Sequence, residues 1–228
     1  MPTTVDIESQ RMRVGTTPVR KLYQGTNLRG TRIAELFANG EQGVWYDPSD
    51  FSTLFQDAAG TIPVTAVEQP VGRMLDKSGR GNHASQPTTT ARPILRQDEN
   101  GKHYLYFDGV DDWMQTASSM DLSGTSEVVT MAAVKVPASK TTRGTVFELG
   151  TSYASSGCFG METPMFSAAA VGVGYRGNGS ETAKSISSTD SSPISIVFGA
   201  SLYLNDPAFQ LRADGNNKQM SSVSTGSG

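Results

Sequence analysis

Two stretches decide how this chain folds: Leu75-Asp-Lys-Ser-Gly-Arg-Gly-Asn-His-Ala84 and Tyr104-Leu-Tyr-Phe-Asp-Gly-Val-Asp-Asp112. The first is a strand end running into a turn-rich loop, Asp76 to Asn82. Gly79 and Gly81 permit positive φ, so the chain can reverse sharply there. Asp76 and Asn82 carry short polar side chains that can bond backbone N–H groups inside the loop. In the second stretch, Tyr104 to Phe107 reads as a strand, and Asp108 to Asp111, with Gly109, as the turn that ends it. Pro93 to Arg96 and Tyr104 to Phe107 flank Asn100-Gly101, the strongest short signal for a β-hairpin.

Working outward, the pattern stays β. Gly43 to Tyr46 is an expected strand ended by Asp47-Pro48. Phe51 to Phe55 is a helical turn behind a Ser49/Asp50 cap. Val71 to Leu75 and Trp113 to Thr116 are further strands. Val128 to Val136 is almost continuously apolar, as two-sided burial inside a sandwich produces. Thr145 to Leu149 follows. Ile196, Phe198, Ala200, Leu202 and Leu204 alternate with Val197, Gly199, Ser201, Tyr203 and Asn205, a clean period of two. Phe209, Leu211 and Ala213 repeat that alternation before the turn Asp214 to Asn217. Roughly ten short strands with turns this frequent imply a mainly β, antiparallel sandwich or jelly roll.

Residues 1–39 read as a separate section. Arg11–Val14 and Val19–Tyr23 are short strands around the turn Gly15-Thr-Thr-Pro18. Thr31 to Asn39 makes one short helix, with Thr31 as N-cap and Asn39-Gly40 as stop. The section is too small to hold a core alone. It is therefore expected to pack on the main domain, another subunit or a larger assembly. The domains are drawn as 1–39, an attachment or oligomerisation segment, and 40–228, the sandwich.

Composition narrows the function. The 228 residues carry a net charge of −3, against the basic footprint that nucleic-acid binding requires. The local run Arg11, Arg13, Arg20, Lys21, Arg29, Arg32 is read as a solvated or partner-facing segment. The single cysteine, Cys158, excludes an intrachain disulfide and reads as a small buried hydrophobe. No apolar run approaches the ~18 residues of a membrane span. Met1 to Gln10 is polar and acidic, without a signal-peptide core, so the chain is expected to be made and folded in a cytoplasm.

The two opening stretches, in this order and at this distance, resemble the opening of a laminin G-like domain of the concanavalin A-like group. Gly43-Val-Trp-Tyr-Asp-Pro-Ser-Asp50, with Leu54-Phe-Gln-Asp57, is similar to a version found in phage and prophage structural proteins. Met12-Arg-Val-Gly-Thr-Thr-Pro-Val-Arg-Lys-Leu-Tyr-Gln-Gly25 looks like a short module at the start of phage tail or virion-associated proteins. The resemblance is strong over 43–116 and loose afterward. Domains of the group usually add strands beyond the hairpin that falls here at 197–220. This chain runs into Ser221-Ser-Val-Ser-Thr-Gly-Ser-Gly228, so either the sandwich is completed otherwise or it is incomplete at its C-terminus.

The resemblance makes Asp76, Gly79, Gly81, Asn82, His83, Asp108 and Gly109 a structural turn motif, with His83 closing the loop. The functional alternative is calcium, for which Asp76, Asp108, Asp111 and Asp112 offer hard oxygen ligands. No other cofactor is implied. His103 reads as exposed. Tyr104, Tyr106 and Trp113 are the candidate sugar-stacking residues, because an aromatic ring offers a flat apolar face and a polar edge. A sandwich core also needs large side chains, and the core reading is favoured for Trp45 and Trp113. Gly172-Val-Gly-Tyr-Arg-Gly177 matches a dinucleotide pattern formally but lacks the βαβ context, and reads as strand and turn.

Some members of the wider group hydrolyse glycans with paired carboxylates. Here Glu127, Glu148 and Glu162 are isolated, no Gly-x-Ser-x-Gly elbow occurs, and no His/Cys cluster suits zinc. The expectation is a non-enzymatic phage virion protein, a tail or head–tail fibre or accessory component, made in the bacterial host. Residues 1–39 would dock it to other virion proteins. It would form a homo-oligomer, a trimer first, and present a lectin-like sandwich to host-surface polysaccharide. The alternative is a purely structural decoration or joining protein, and a glycan-degrading depolymerase is the minor one. No nucleic-acid partner is expected.

Overall fold

A computed structural model describes residues 13–14, 17–18, 33–122, 124–125, 127–136, 142, 144–150, 158–163, 171–176, 184–188, 195–203, 209–213 and 216–219. From residue 171 onward the description is of backbone course and pairing. The chain is mainly β, with antiparallel sheets and three short 3-10 helices among the described residues. This arrangement is compatible with a β-sandwich.

The strands are β1 (Arg13–Val14), β2 (Thr17–Pro18), β3 (Leu54–Phe55), β4 (Arg73–Met74), β5 (Ala84–Ser85), β6 (Ile94–Gln97), β7 (His103–Tyr106) and β8 (Gln115–Thr116). Then come β9 (Glu127–Lys135), β10 (Thr145–Leu149), β11 (Cys158–Glu162), β12 (Val171–Arg176), β13 (Lys184–Ser188), β14 (Ser195–Tyr203), β15 (Phe209–Ala213) and β16 (Asn216–Gln219). Contacts divide the chain into two compact units. One contains Pro18–Ser123, and the other contains Gly124–Gly228 with Arg13–Thr17.

In the first unit a sheet ordered β3-β4-β5-β8 stands beside the hairpin β6-β7. Its core is Leu54, Val64, Val71, Met74 and Leu95, with Tyr46, Phe51, Leu105 and Met114 packed against it. The strands are short because loops supply most of the backbone partners. Val71 N donates to Pro93 O at 2.8 Å, and Leu75 N to Thr53 O at 2.8 Å. The expected strand Val71–Leu75 is therefore a ladder only at Arg73–Met74. Gly43–Tyr46 is not a strand. Trp45 N bonds the Asp76 carboxylate, and Trp45 O accepts from Lys77 N, so its hydrogen bonds go to a loop and not to a neighbouring strand. The expected helix at 31–39 is a 3-10 helix, Ile33–Phe37. The turn behind Asp50 is the 3-10 helix Phe51–Thr53, with Asp50 Oδ1 accepting from Ser52 N at 3.2 Å.

The hairpin at Asn100-Gly101 forms, with a longer loop than a two-residue turn. Gln97 pairs with His103, and Asp98 N donates to Lys102 O at 2.9 Å. Gly101 N donates to Asp98 O at 3.0 Å, and Gly101 alone of the pair takes a positive φ, 79°. That is a type I turn followed by a left-handed residue, the three-residue hairpin loop. A Cβ at Gly101 meets only the Gln97 Nε2 tip at 3.8 Å. Gly101→Ala should therefore cost only the backbone term, about 1 kcal/mol, read as a small shift in urea midpoint. A loss beyond ~2.5 kcal/mol would show that more than φ is at stake.

In the second unit β10-β11-β12-β13 is a meander, and the other sheet runs β16-β15-β14-β9. β14 pairs antiparallel with β9 from Ser195↔Lys135 to Tyr203↔Glu127. The sheets meet where Thr130 Oγ1 donates to Met161 Sδ at 3.0 Å. Phe159 and Met161 are buried, and Phe159 packs on Phe147 with ring centroids 5.9 Å apart. The two-sided burial expected of Val128–Val136 belongs instead to β11, which is buried from Phe159 to Glu162. β9 ends its sheet and alternates. Met131 is 51 % exposed, Ala133 and Lys135 are exposed, and Ala132 and Val134 are partly buried. Position explains the swap, since an interior strand is covered on more sides than a terminal one. The stretch 172–176 lies in β12, laddered on both sides. Val19–Tyr23 lies outside the described residues.

Candidate functional site

The Asp76 loop is a self-contained polar knot. Asp76 Oδ1 accepts from Trp45 N and from Ser78 N, both at 2.9 Å. Oδ2 accepts from Ser78 Oγ at 2.6 Å and Asn82 N at 3.1 Å. Asp76 N donates to His83 Nδ1 at 3.0 Å, which closes the loop. Asn82 Nδ2 reaches Gly43 O at 2.8 Å, and Tyr46 donates its hydroxyl to Asn82 O. Gly79 and Gly81 sit at φ 83° and 77°, with open space where a Cβ would be. Burial works to raise the Asp76 pKa, but the bonds from Ser78, Trp45 and Asn82 outweigh it and hold the carboxyl below its usual range. Tyr46 is pushed up, first by burial and then by the Asp76 charge.

Around the knot, Lys77 Nζ lies 3.0 Å from Asp47, 2.7 Å from Asp50 and 4.6 Å above the Trp45 ring. Arg80 Nη2 donates to Phe37 O at 2.6 Å, tying the 3-10 helix to the loop. Trp45 is thus half-buried under a cation and outside the apolar cluster.

Asp108, Asp111 and Asp112 do gather, each offering an oxygen within 4.8 Å of the others. Asp76 is not among them, and both its oxygens accept bonds inside its own loop. The acidic turn has its own internal bonds. Asp108 N donates to Asp112 Oδ2 at 2.9 Å, and Val110 N to Asp108 Oδ1 at 2.8 Å. Gly109 takes φ 77° to allow this. Burial first, then the charges of Asp108 and Asp111, hold Asp112 above its ordinary value. Three carboxylates fall short of the roughly six to eight oxygens a calcium takes.

The outer face of the β6–β7 hairpin is the second polar assembly. Leu95 and Leu105 pair across the ladder and face the core, so Ile94, Arg96, Tyr104 and Tyr106 share the opposite face. The Arg96 guanidinium carbon lies 3.8 Å from the Tyr106 ring centroid. Arg96 Nε is 3.5 Å from Glu68 Oε2, with the side chains 37 % and 65 % exposed. Glu68 is the one non-glycine residue with positive φ, 63°, among the described residues. Its N–H is tied to Leu95 O at 2.7 Å. Such a backbone costs roughly 1–2 kcal/mol for an L-residue, and an exposed ion pair returns about 0–1 kcal/mol.

The candidate aromatics separate. Tyr104 and Tyr106 are half-buried on the hairpin face. Trp113 lies before β8, with its N–H on Ala91 O at 3.3 Å and its carbonyl accepting from the buried Gln86 at 2.9 Å. At 42 % exposed, Trp113 is not a core residue. The backbone anchors hold the segment before β8 and leave the ring outside. His103, expected to be exposed, begins β7 on the core-facing side and stacks edge-on to Phe51 at 5.0 Å. Arg96 and Glu68 escaped the sequence reading. Their only signal is the register of the hairpin, which sets Arg96 across from Tyr104.

Comparison with protein-family models, with curated proteins and with solved structures finds no match to this chain. No helix among the described residues is long and apolar enough to cross a membrane.

Proposed function

We propose that this chain is a non-enzymatic structural protein of a bacteriophage virion, a tail or head–tail fibre or accessory component. Its jelly-roll sandwich, of the laminin G-like kind, presents a lectin-like face to host-surface polysaccharide. The observation that carries the adhesive part is the outer face of β6–β7. There two tyrosines and a guanidinium share one face of the hairpin, and the Glu68 carboxylate of a neighbouring loop lies beside the guanidinium. Flat apolar rings beside hydrogen-bonding groups are what a sugar needs. The sandwich part rests on the paired motifs at 75–84 and 104–112, and the virion part on the phage-like segments at 12–25 and 43–57.

In this reading residues 1–39 attach the protein to other virion components, and three copies assemble around one axis. Multivalency then converts weak single contacts into firm attachment. No cofactor is required. The Asp108, Asp111, Asp112 group serves as a turn, with calcium as its alternative occupant. No nucleic acid takes part. Electron cryomicroscopy of the assembled particle tests the proposal. The expected density places 1–39 against the particle and the β6–β7 face toward solvent. A sandwich enclosed by neighbouring subunits sinks the adhesive part.

One observation favours a second reading, a decoration or joining protein. The exposed face of β9 carries Met131 and Ala133 beside Lys135, two apolar side chains that a covering virion protein would bury. A particle density with that row covered by another virion protein, and the hairpin face also covered, decides for it.

A further inference from the structure

We infer that Glu68, Arg96, Tyr104 and Tyr106 form a subsite for a neutral, hydroxyl-rich pyranose, and that Glu68 is kept in a strained backbone conformation for that purpose. This rests on the adhesive reading above and narrows it to one face and one class of sugar.

The argument begins with the strain. The turn at Glu68 needs a left-handed residue, and glycine fills such a position without penalty. The turn is held in other ways. Gln69 Oε1 accepts from Thr65 N at 2.8 Å and Ala66 N at 3.2 Å, and Glu68 N bonds Leu95 O. None of these bonds uses the Glu68 side chain. Its carboxylate meets Arg96 alone among the described residues, 3.5 Å from a buried Nε that has no hydrogen-bond partner, while the Glu68 side chain itself is 65 % exposed. Such a pair returns less than the backbone conformation costs. A side chain retained against its own fold points to a use outside the fold.

The chemistry of the neighbours says which use. The Arg96 guanidinium carbon sits 3.8 Å over the Tyr106 ring centroid, which holds the guanidinium against the ring. Its terminal nitrogens have no hydrogen-bond partner among the described residues. Tyr104 stands directly across from Arg96 on the same face, within cross-strand reach. The face therefore offers a half-exposed ring, a carboxylate that accepts from hydroxyls and guanidinium donors that bond to them. Glu68 neutralises Arg96, which removes the attraction a bare guanidinium would have for a uronic or sialic acid. A neutral pyranose, apolar on one side and hydroxylated at its rim, matches all four groups.

The test uses the whole chain with methyl α-mannopyranoside, methyl α-glucopyranoside, methyl β-galactopyranoside, glucuronate and N-acetylneuraminate, followed by saturation-transfer NMR. At least one neutral glycoside should bind in the millimolar range and the two acids more weakly. Glu68→Gly should lose tenfold or more in affinity while its melting temperature stays level or rises by roughly 2–8 °C. Tyr104→Ala should lose binding too. Because Glu68→Gly relieves strain, its loss of binding is not a folding failure. Neutral sugars bound equally by wild type and Glu68→Gly would overturn the subsite and leave adhesion standing. A preference for either acid overturns the ligand class. A lower melting temperature in Glu68→Gly makes the glutamate structural and overturns the inference. No binding to any of the five sugars overturns it as well. If bacterial lipopolysaccharide and capsular polysaccharide also fail to bind, the adhesive reading falls with it.

Discussion

Gly72→Ala is expected to destabilise the first unit by about 3 kcal/mol or more. Gly72 is buried at the entry to β4. Its N–H donates to Phe55 O, and its carbonyl accepts from Gln86 N, each at 2.8 Å. A Cβ there would stand 2.6 Å from Gln56 O, 2.7 Å from Asp57 C and 2.9 Å from Ala58 N. All three are backbone atoms, so no rotamer relieves the overlap. Segment 56–58 would have to move, and it is pinned. Gln56 N donates to Ile62 O at 2.7 Å, and Arg92 Nη1 donates to Gln56 O at 3.1 Å. Both tryptophans of the chain, Trp45 and Trp113, lie in this unit. Urea denaturation followed by tryptophan fluorescence therefore reads it directly. Gly101→Ala is the control, a glycine constrained by φ and not by space. Equal losses in the two variants would refute the close approach at Gly72.

Asp76→Ala should follow closely, at about 3–5 kcal/mol, because it strands the N–H groups of Trp45, Ser78 and Asn82 together. Asp76→Asn keeps the shape but turns an NH2 toward the Asn82 N–H and should lose about 2 kcal/mol. The pH dependence has a definite sign. The folded pKa of Asp76 lies below its unfolded value. Its contribution is therefore complete above the unfolded carboxyl pKa of ~3.9, and it is lost as pH falls through the lower folded value. Asp50 and Asp57 are also held low, Asp50 first by its bond from Lys77 and Asp57 first by the Ile62 N–H. Wild type should thus lose stability steadily below about pH 4. Asp76→Asn should lose less across that window, and the difference between the two curves isolates Asp76. Parallel curves would mean that its carboxylate is not the centre of the loop.

How much of this was legible beforehand depends on sequence distance. The Asp76–Asn82 loop was readable because its glycines and short polar side chains act on their own neighbours. β10, β14 and β15 fall where the residue patterns put them, since alternation is a local property of a strand. Thr17–Pro18, expected in a turn, pairs as β2, and the larger errors concerned surroundings. Val128–Val136 looked buried on both faces because its residues are apolar, but apolar residues do not say whether a strand ends its sheet. Trp113 looked like core because it is large, yet its own backbone is anchored to Ala91 and Gln86 with the ring 42 % exposed. Gly43–Tyr46 had the composition of a strand and spends its hydrogen bonds on a carboxylate 31 residues away.

By itself, then, the sequence determined the mainly β character, the places of the turns and the residues that close them. These depend on φ preferences, on hydrogen bonds over a few residues and on the period of two. Only the tertiary structure decided that Gly72 lies against the backbone of 56–58, that Asp76 and not a ladder holds Trp45, and that Glu68 meets Arg96 beside two tyrosines. Each of these joins residues separated along the chain. The energy that brings them together comes from burying Leu54, Val71 and Leu95 in one cluster. That burial is non-directional, and which polar groups meet at its edges is set by the packing as a whole.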